Sequence, residues 1–263
     1  MYSLKSSKES TQDSNITDKN IPATTLPFSS PKFLFSPISY LSKKVRDFLI
    51  KTLQHGPIPQ HIGFIMDGNR RFARKVKVQT TKGHYMGFAK MEEVLDICLQ
   101  LGIKVVTVYA FSIENFKRPK EEVDGLMQLA KAKLIELCQN SQVVKKHGIS
   151  IRILGNMSYL PQDLREVMEE AIETTKDNDR SILNICAPYT SRDEITNSVK
   201  TIAKMVENKQ IHIEDIDENL IERCLFTHGC PPLEILIRTS ELFLARIFDL
   251  GDVTNHFRVS TYL

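Results

Sequence analysis

A repeated alternation of short apolar runs with longer stretches of helical periodicity restricts this chain to few folds. Five runs rich in β-branched residues stand at Ile62–Met66, Val105–Phe111, Ile149–Leu154, Ile182–Ala187 and Leu233–Ile237. Between them, apolar side chains recur at helical spacing around Tyr85–Leu101, Glu121–Lys146, Gln162–Lys176 and Arg192–Glu207. The pattern predicts an α/β fold, a mainly parallel central sheet with helices on both faces. With 263 residues, 41% of them hydrophobic, the chain can bury one sizeable core or two small ones.

A net charge of +3 is too small to argue for a nucleic-acid surface, so no nucleic-acid partner is expected. Cys98, Cys138 and Cys186 sit inside apolar stretches, and five cysteines suit small core residues in a reducing compartment better than a disulfide framework. No apolar run is long enough for a membrane-spanning helix, and no apolar segment behind a basic start suggests a cleaved leader.

Residues 1–30 are rich in Ser, Thr, Asn, Asp and Lys and read as a disordered tail. Residues 31–55 differ. Ile38, Leu41, Val45, Phe48, Leu49 and Leu53 fall at helical spacing, with Lys43, Lys44, Arg46 and Lys51 on the other face. This basic amphipathic helix either lies on an anionic membrane surface or docks on its own domain or a partner. Gly56, Pro57 and Pro59 then punctuate the chain, and the compact body is expected over 56–240.

Ligands of open parallel sheets bind beyond the C-terminal ends of the strands. After the first run comes Asp67-Gly68-Asn69-Arg70-Arg71, and after the second Ser112-Ile113-Glu114-Asn115-Phe116-Lys117-Arg118. Tyr189-Thr190-Ser191-Arg192 follows the fourth and Arg238-Thr239-Ser240 the fifth. Arginines, hydroxyls and one aspartate thus gather into a polyanion site. Asp-Gly after a strand is commonly a tight turn, but no alternating strand comes next; Asn69 to Lys75 looks like a helix start. Backbone N–H groups there, with Arg71, suit a diphosphate. A carboxylate beside phosphates is repelled unless a cation lies between them, so Asp67 implies Mg2+. Arg118 and Arg238 read either as surface salt-bridge partners or as phosphate ligands, and His84 as a helix cap or a phosphate contact. No nucleotide-binding glycine loop is present, and Cys224, His228 and Cys230 fit no usual zinc spacing.

The stretch His61 to Ala73 resembles the signature of the cis-prenyltransferases, the undecaprenyl and dehydrodolichyl diphosphate synthases. So do Gly83-His84, Tyr109 to Pro119, Glu121-Glu122-Val123 and Leu236 to Ser240, in order and at the family's separations from about Gly56 onward. Asn69-Arg70-Arg71, Phe116 and Tyr189-Thr190-Ser191-Arg192 are similar to the eukaryotic dehydrodolichyl branch. The resemblance implies condensation of isopentenyl diphosphate onto an allylic (farnesyl) diphosphate, giving long-chain Z-polyprenyl diphosphate for dolichol synthesis and glycosylation. It implies Asp67 as the Mg2+ anchor and Gly68, Asn69, Arg70, Arg71 and His84 as a cradle for the allylic diphosphate. Asn69 and Ser112 would orient the reacting groups, Asn115 would brace the loop, and Arg118 and Arg238 would grip isopentenyl diphosphate. It further implies a partner subunit contributing a C-terminal Arg-x-Gly tail, and a peripheral place on the cytoplasmic face of the endoplasmic reticulum or on lipid droplets. Met86, Phe88, Leu95, Leu99, Leu126 and Leu129 are candidates to line a cavity for the growing chain, or else ordinary core.

The family pattern departs after Arg238-Thr239-Ser240. An arginine and a serine are expected at the positions held by Leu244 and Arg246, and an arginine at that of Thr80. Residues 241–263 read as a non-family segment: an altered reading frame, retained intron or alternative exon. Its expected consequences are a weaker grip on isopentenyl diphosphate and an uncovered sheet edge. The competing reading is a non-catalytic subunit or inactive product of the same family.

Overall fold

The computed structural model describes residues 37–139, 142–238 and 258–259. The tail expected over 1–30, the start of the 31–55 segment, Thr239, Ser240 and nearly all of 241–263 lie outside the described residues.

Each sequence run becomes a strand: β1 (His61–Ile65), β2 (Val105–Tyr109), β3 (Ile149–Leu154), β4 (Ser181–Cys186) and β5 (Ile235–Arg238). A two-residue strand, β6 (Arg258–Val259), joins them in a parallel sheet of order β3-β4-β2-β1-β5-β6. Nothing in the sequence pattern signals β6. It pairs with Ile235 and Leu236, so the edge expected to lie bare is covered over that half of β5. Every residue of β1 and the first four of β2 are buried, which is why these strands read as unbroken apolar runs rather than alternating ones.

The helices are α1 (Pro37–Leu53), α2 (Asn69–Lys75), α3 (Thr80–Leu101), α4 (Lys120–Gln139), α5 (Gln142–His147), α6 (Gln162–Thr175), α7 (Ser191–Glu207) and α8 (Glu218–Arg223). The stretch read as helical over 121–146 holds α4 and α5, with residues 140 and 141 between them outside the described residues. α8 gave no signal because it buries only Leu220; Asp217 caps it, accepting from the Leu220 N–H at 2.7 Å. In α1, Val45, Phe48, Leu49 and Leu53 are exposed and Ile50 alone of the described apolar residues is buried, so that stripe is not docked on the body of the chain.

The main core lies between the sheet and α3, α4 and α6, with Ile103, Val106, Ile149, Ile151 and Leu164 almost wholly excluded from water. Leu154, Cys186 and Tyr189 form a smaller cluster with Phe226. A polar row is buried in the sheet itself. His61 Nε2 lies 2.7 Å from Thr107 Oγ1, which also accepts from Asn184 Nδ2 at 3.0 Å.

Candidate active site

The register sets the site. Ile65 pairs with Tyr109 on one side and Arg238 on the other, and Tyr109 pairs with Cys186, so neighbouring strands end at one level. The segments leaving these strand ends are therefore brought together.

At the end of β1, Gly68 has φ 89°, a left-handed turn that glycine adopts without strain, and it swings the chain directly into α2. The Gly68 N–H donates to Asp67 Oδ1 at 2.6 Å. Arg238, at the end of β5, donates to Asp67 Oδ2 from Nε at 3.1 Å and from Nη2 at 2.6 Å. α2 lies so close to α3 that a Cβ on Gly83 would stand 2.7 Å from both Ala73 Cβ and the Asn69 carbonyl. This contact seats Asn69 beside the first turn of α3, which carries His84.

At the end of β2, Ser112 caps a short 3-10 helix, Ile113–Lys117. Its hydroxyl accepts from the Glu114 N–H at 3.1 Å, and its own N–H donates to Asn115 Oδ1 at 3.0 Å, a reciprocal capping box that holds the loop. Arg118 leaves this turn and donates to Glu122 Oε1 at 3.0 Å. The same oxygen lies 3.6 Å from Arg70 Nε and 3.8 Å from His84 Nε2. One carboxylate thus gathers groups from α2, α3 and the 3-10 turn. In the sequence Glu122 stands out only as part of a motif; its hub position depends on three segments distant in the chain.

Asp67, Asn69, His84, Ser112, Asn115 and Arg118 all line one cavity of about 400 Å3. Arg238 joins it through Asp67 and Arg70 through Glu122; Arg71 lies exposed on α2 and does not line the cavity. His84 Nε2 is buried with no hydrogen-bond partner, 3.8 Å being too long for a bond to Glu122. Burial and the neighbouring Arg118 charge hold its pKa below the usual imidazole value, partly offset by Glu122. A neutral, unsatisfied imidazole among arginines is suited to phosphate oxygens. Arg70, Arg118 and Arg238 gather around Asp67 and Glu122, and such a concentration of cations favours a polyanion.

Beyond this charged mouth the lining is mostly apolar. Phe88, Leu126 and Leu129 line it, as do Leu137, Leu160 and Leu164 deeper in. Leu95 and Leu99 are instead packed in the core, and Met86 is exposed; the helical period of α3 alone does not distinguish these faces.

The family model described as putative undecaprenyl diphosphate synthase matches residues 65–244. A dehydrodolichyl diphosphate synthase complex subunit of Homo sapiens is 50% identical over 193 residues, 73% of this chain and 58% of that protein. The Schizosaccharomyces pombe complex subunit is 46% identical over 204 residues, 78% of this chain and 77% of its own length. The crystal structure of lavandulyl diphosphate synthase from Lavandula x intermedia with dimethylallyl diphosphate superposes with a TM-score of 0.69 at 28% identity, covering 78% of this chain and 87% of that one. Charged strand ends over an apolar cavity, and matches that run through them, establish that this chain belongs to the cis-prenyltransferase family, that of the undecaprenyl and dehydrodolichyl diphosphate synthases.

Proposed function

We propose that the chain condenses isopentenyl diphosphate onto an allylic, farnesyl-type diphosphate and repeats the step to give a long-chain Z-polyprenyl diphosphate for dolichol synthesis. The observation that carries this reading is a single cavity whose mouth is cationic and whose depth is apolar. A molecule with a diphosphate head and a hydrocarbon tail satisfies both ends.

Asp67 suits Mg2+: it is a single carboxylate, its side chain 37% exposed, at the edge of a phosphate cradle, and magnesium takes one or two protein carboxylates while keeping waters and phosphate oxygens. When bound there, the ion supplies charge neutralisation at the departing diphosphate. The remaining work belongs to the chain. Asn69, Arg70 and His84 hold the allylic diphosphate, with Arg71 reaching it from the exposed side of α2 and Gly68 giving its backbone room. Arg118 and Arg238 hold isopentenyl diphosphate, and Ser112, braced by Asn115, orients the reacting ends. The allylic C–O bond breaks, the isopentenyl double bond forms the new C–C bond, and a proton leaves to restore a double bond. Positioning and charge stabilisation dominate such a reaction.

The complex-subunit names of the relatives support a heteromer, and we assign to its second subunit a C-terminal Arg-x-Gly tail that completes the phosphate site. The exposed stripe of α1, with Lys44, Arg46 and Lys51 on the same helix, supports peripheral contact with the endoplasmic-reticulum or lipid-droplet surface. The decisive experiment gives the full chain, with its partner subunit, farnesyl and labelled isopentenyl diphosphates plus Mg2+. Label should enter a polyprenyl product. Diphosphate binding by calorimetry without incorporation would instead identify a non-catalytic subunit.

A further inference from the structure

On α4, Leu126, Ala130, Leu134 and Leu137 face the cavity, and Lys133 falls among them. Helical periodicity asks for an apolar residue there. The Lys133 side chain is only 6% exposed. An ammonium so placed is costly unless its charge is matched.

It is matched on several sides. Nζ donates to Glu136 Oε2 at 2.7 Å. It also lies 4.9 Å from the ring centroid of Tyr85 and 5.3 Å from that of Phe88, within cation–π range. Glu92 stands close enough for the Lys133 charge to act on its carboxyl. Burial opposes the lysine's charge, but the Glu136 hydrogen bond and the two carboxylates outweigh it and keep the amine protonated. Tyr85, Phe88 and Glu92 all belong to α3, so one cation on α4 draws the two helices together.

Lys133 stands eleven positions after Glu122, about 16.5 Å along the helix at 1.5 Å per residue. The diphosphates stay at the mouth, and only hydrocarbon reaches this depth. We propose that Lys133 is a product-length determinant: its stem walls the cavity, and its ammonium clamps α3 to α4 where the growing chain must pass. The proposal rests on the reading that the cavity holds the polyprenyl chain. Releasing the clamp lets the helices part, and more units are added before the product leaves.

The test compares product lengths by mass spectrometry for the full chain with its partner subunit, under excess isopentenyl diphosphate and at matched turnover. Lys133→Ala should shift the most abundant product by whole isoprene units toward longer chains. Lys133→Met, which keeps the stem and loses the charge, should shift it in the same direction. Lys133→Arg, which keeps a cation, should restore the wild-type distribution. Wild-type lengths in both the Ala and Met variants overturn the proposal, and if thermal melting shows that Lys133→Ala does not fold, Lys133→Met decides alone. A wild-type chain that makes no polyprenyl product sinks the functional reading and this proposal together; normal product indifferent to Lys133 sinks the proposal only.

Discussion

Asp67 is gripped from two sides, by the Gly68 N–H and by two nitrogens of Arg238. Asp67→Asn keeps the volume and an acceptor for Gly68 but removes the charge that anchors a cation and offsets Arg238. On the scale of removing one group that stabilises transition-state charge, single-turnover rates should fall on the order of 10²–10³-fold. A loss below about tenfold would show that the anchor lies elsewhere. His84 makes a pH-dependent contribution. Its pKa is held below the ordinary 6.5, first by burial, so the unfolded chain takes up a proton more readily than the folded one. Stability is therefore full above pH 6.5 and declines as the pH falls from there toward the folded-state pKa. Buried His61 is shifted in the same direction and adds to the slope. Melting temperatures taken from pH 8 to pH 5 should fall less steeply in His84→Gln than in wild type; equal slopes would mean His84 titrates normally.

At the level of elements, β1, β2 and β4 are joined by more than their ladders. Thr107 Oγ1 serves both His61 and Asn184, and Asn184 Oδ1 has no hydrogen-bond partner of its own. Thr107→Val preserves shape but strips the shared hydroxyl from two buried polar groups. Chemical denaturation should show a loss of roughly 1–3 kcal/mol, and a change within about 0.5 kcal/mol would mean that the groups find other partners. The strands that carry this row were legible because both faces are covered and the runs are continuously apolar. The row itself was not: Thr107 and Asn184 look like interruptions until the register sets them side by side. The existence of α8 was lost for a related reason, since short helices carry too few periods to read.

For the molecule as a whole, the exposed apolar residues Val45, Phe48, Leu49 and Leu53 of α1 form a surface that the described body of the chain does not cover. Flotation with anionic vesicles should carry the chain upward, and Phe48→Glu with Leu49→Glu should abolish it; unchanged flotation would remove α1 from membrane contact. Much of the architecture was present in the sequence. Hydrophobic period records which residues are buried, and parallel strands deliver their C-terminal loops to one edge, so Asp67, Ser112, Arg118 and Arg238 were legible as neighbours before any coordinates. Only the tertiary structure decided that Glu122 would gather Arg70, His84 and Arg118, that Phe88 would line the cavity while Leu95 and Leu99 enter the core, and that Lys133 would sit in an apolar wall. Period tells that a side chain faces inward, but not which distant helix meets it there. Glu136, which matches part of the buried Lys133 charge, stands three residues on in the same helix, but Tyr85, Phe88 and Glu92 become its neighbours only in space.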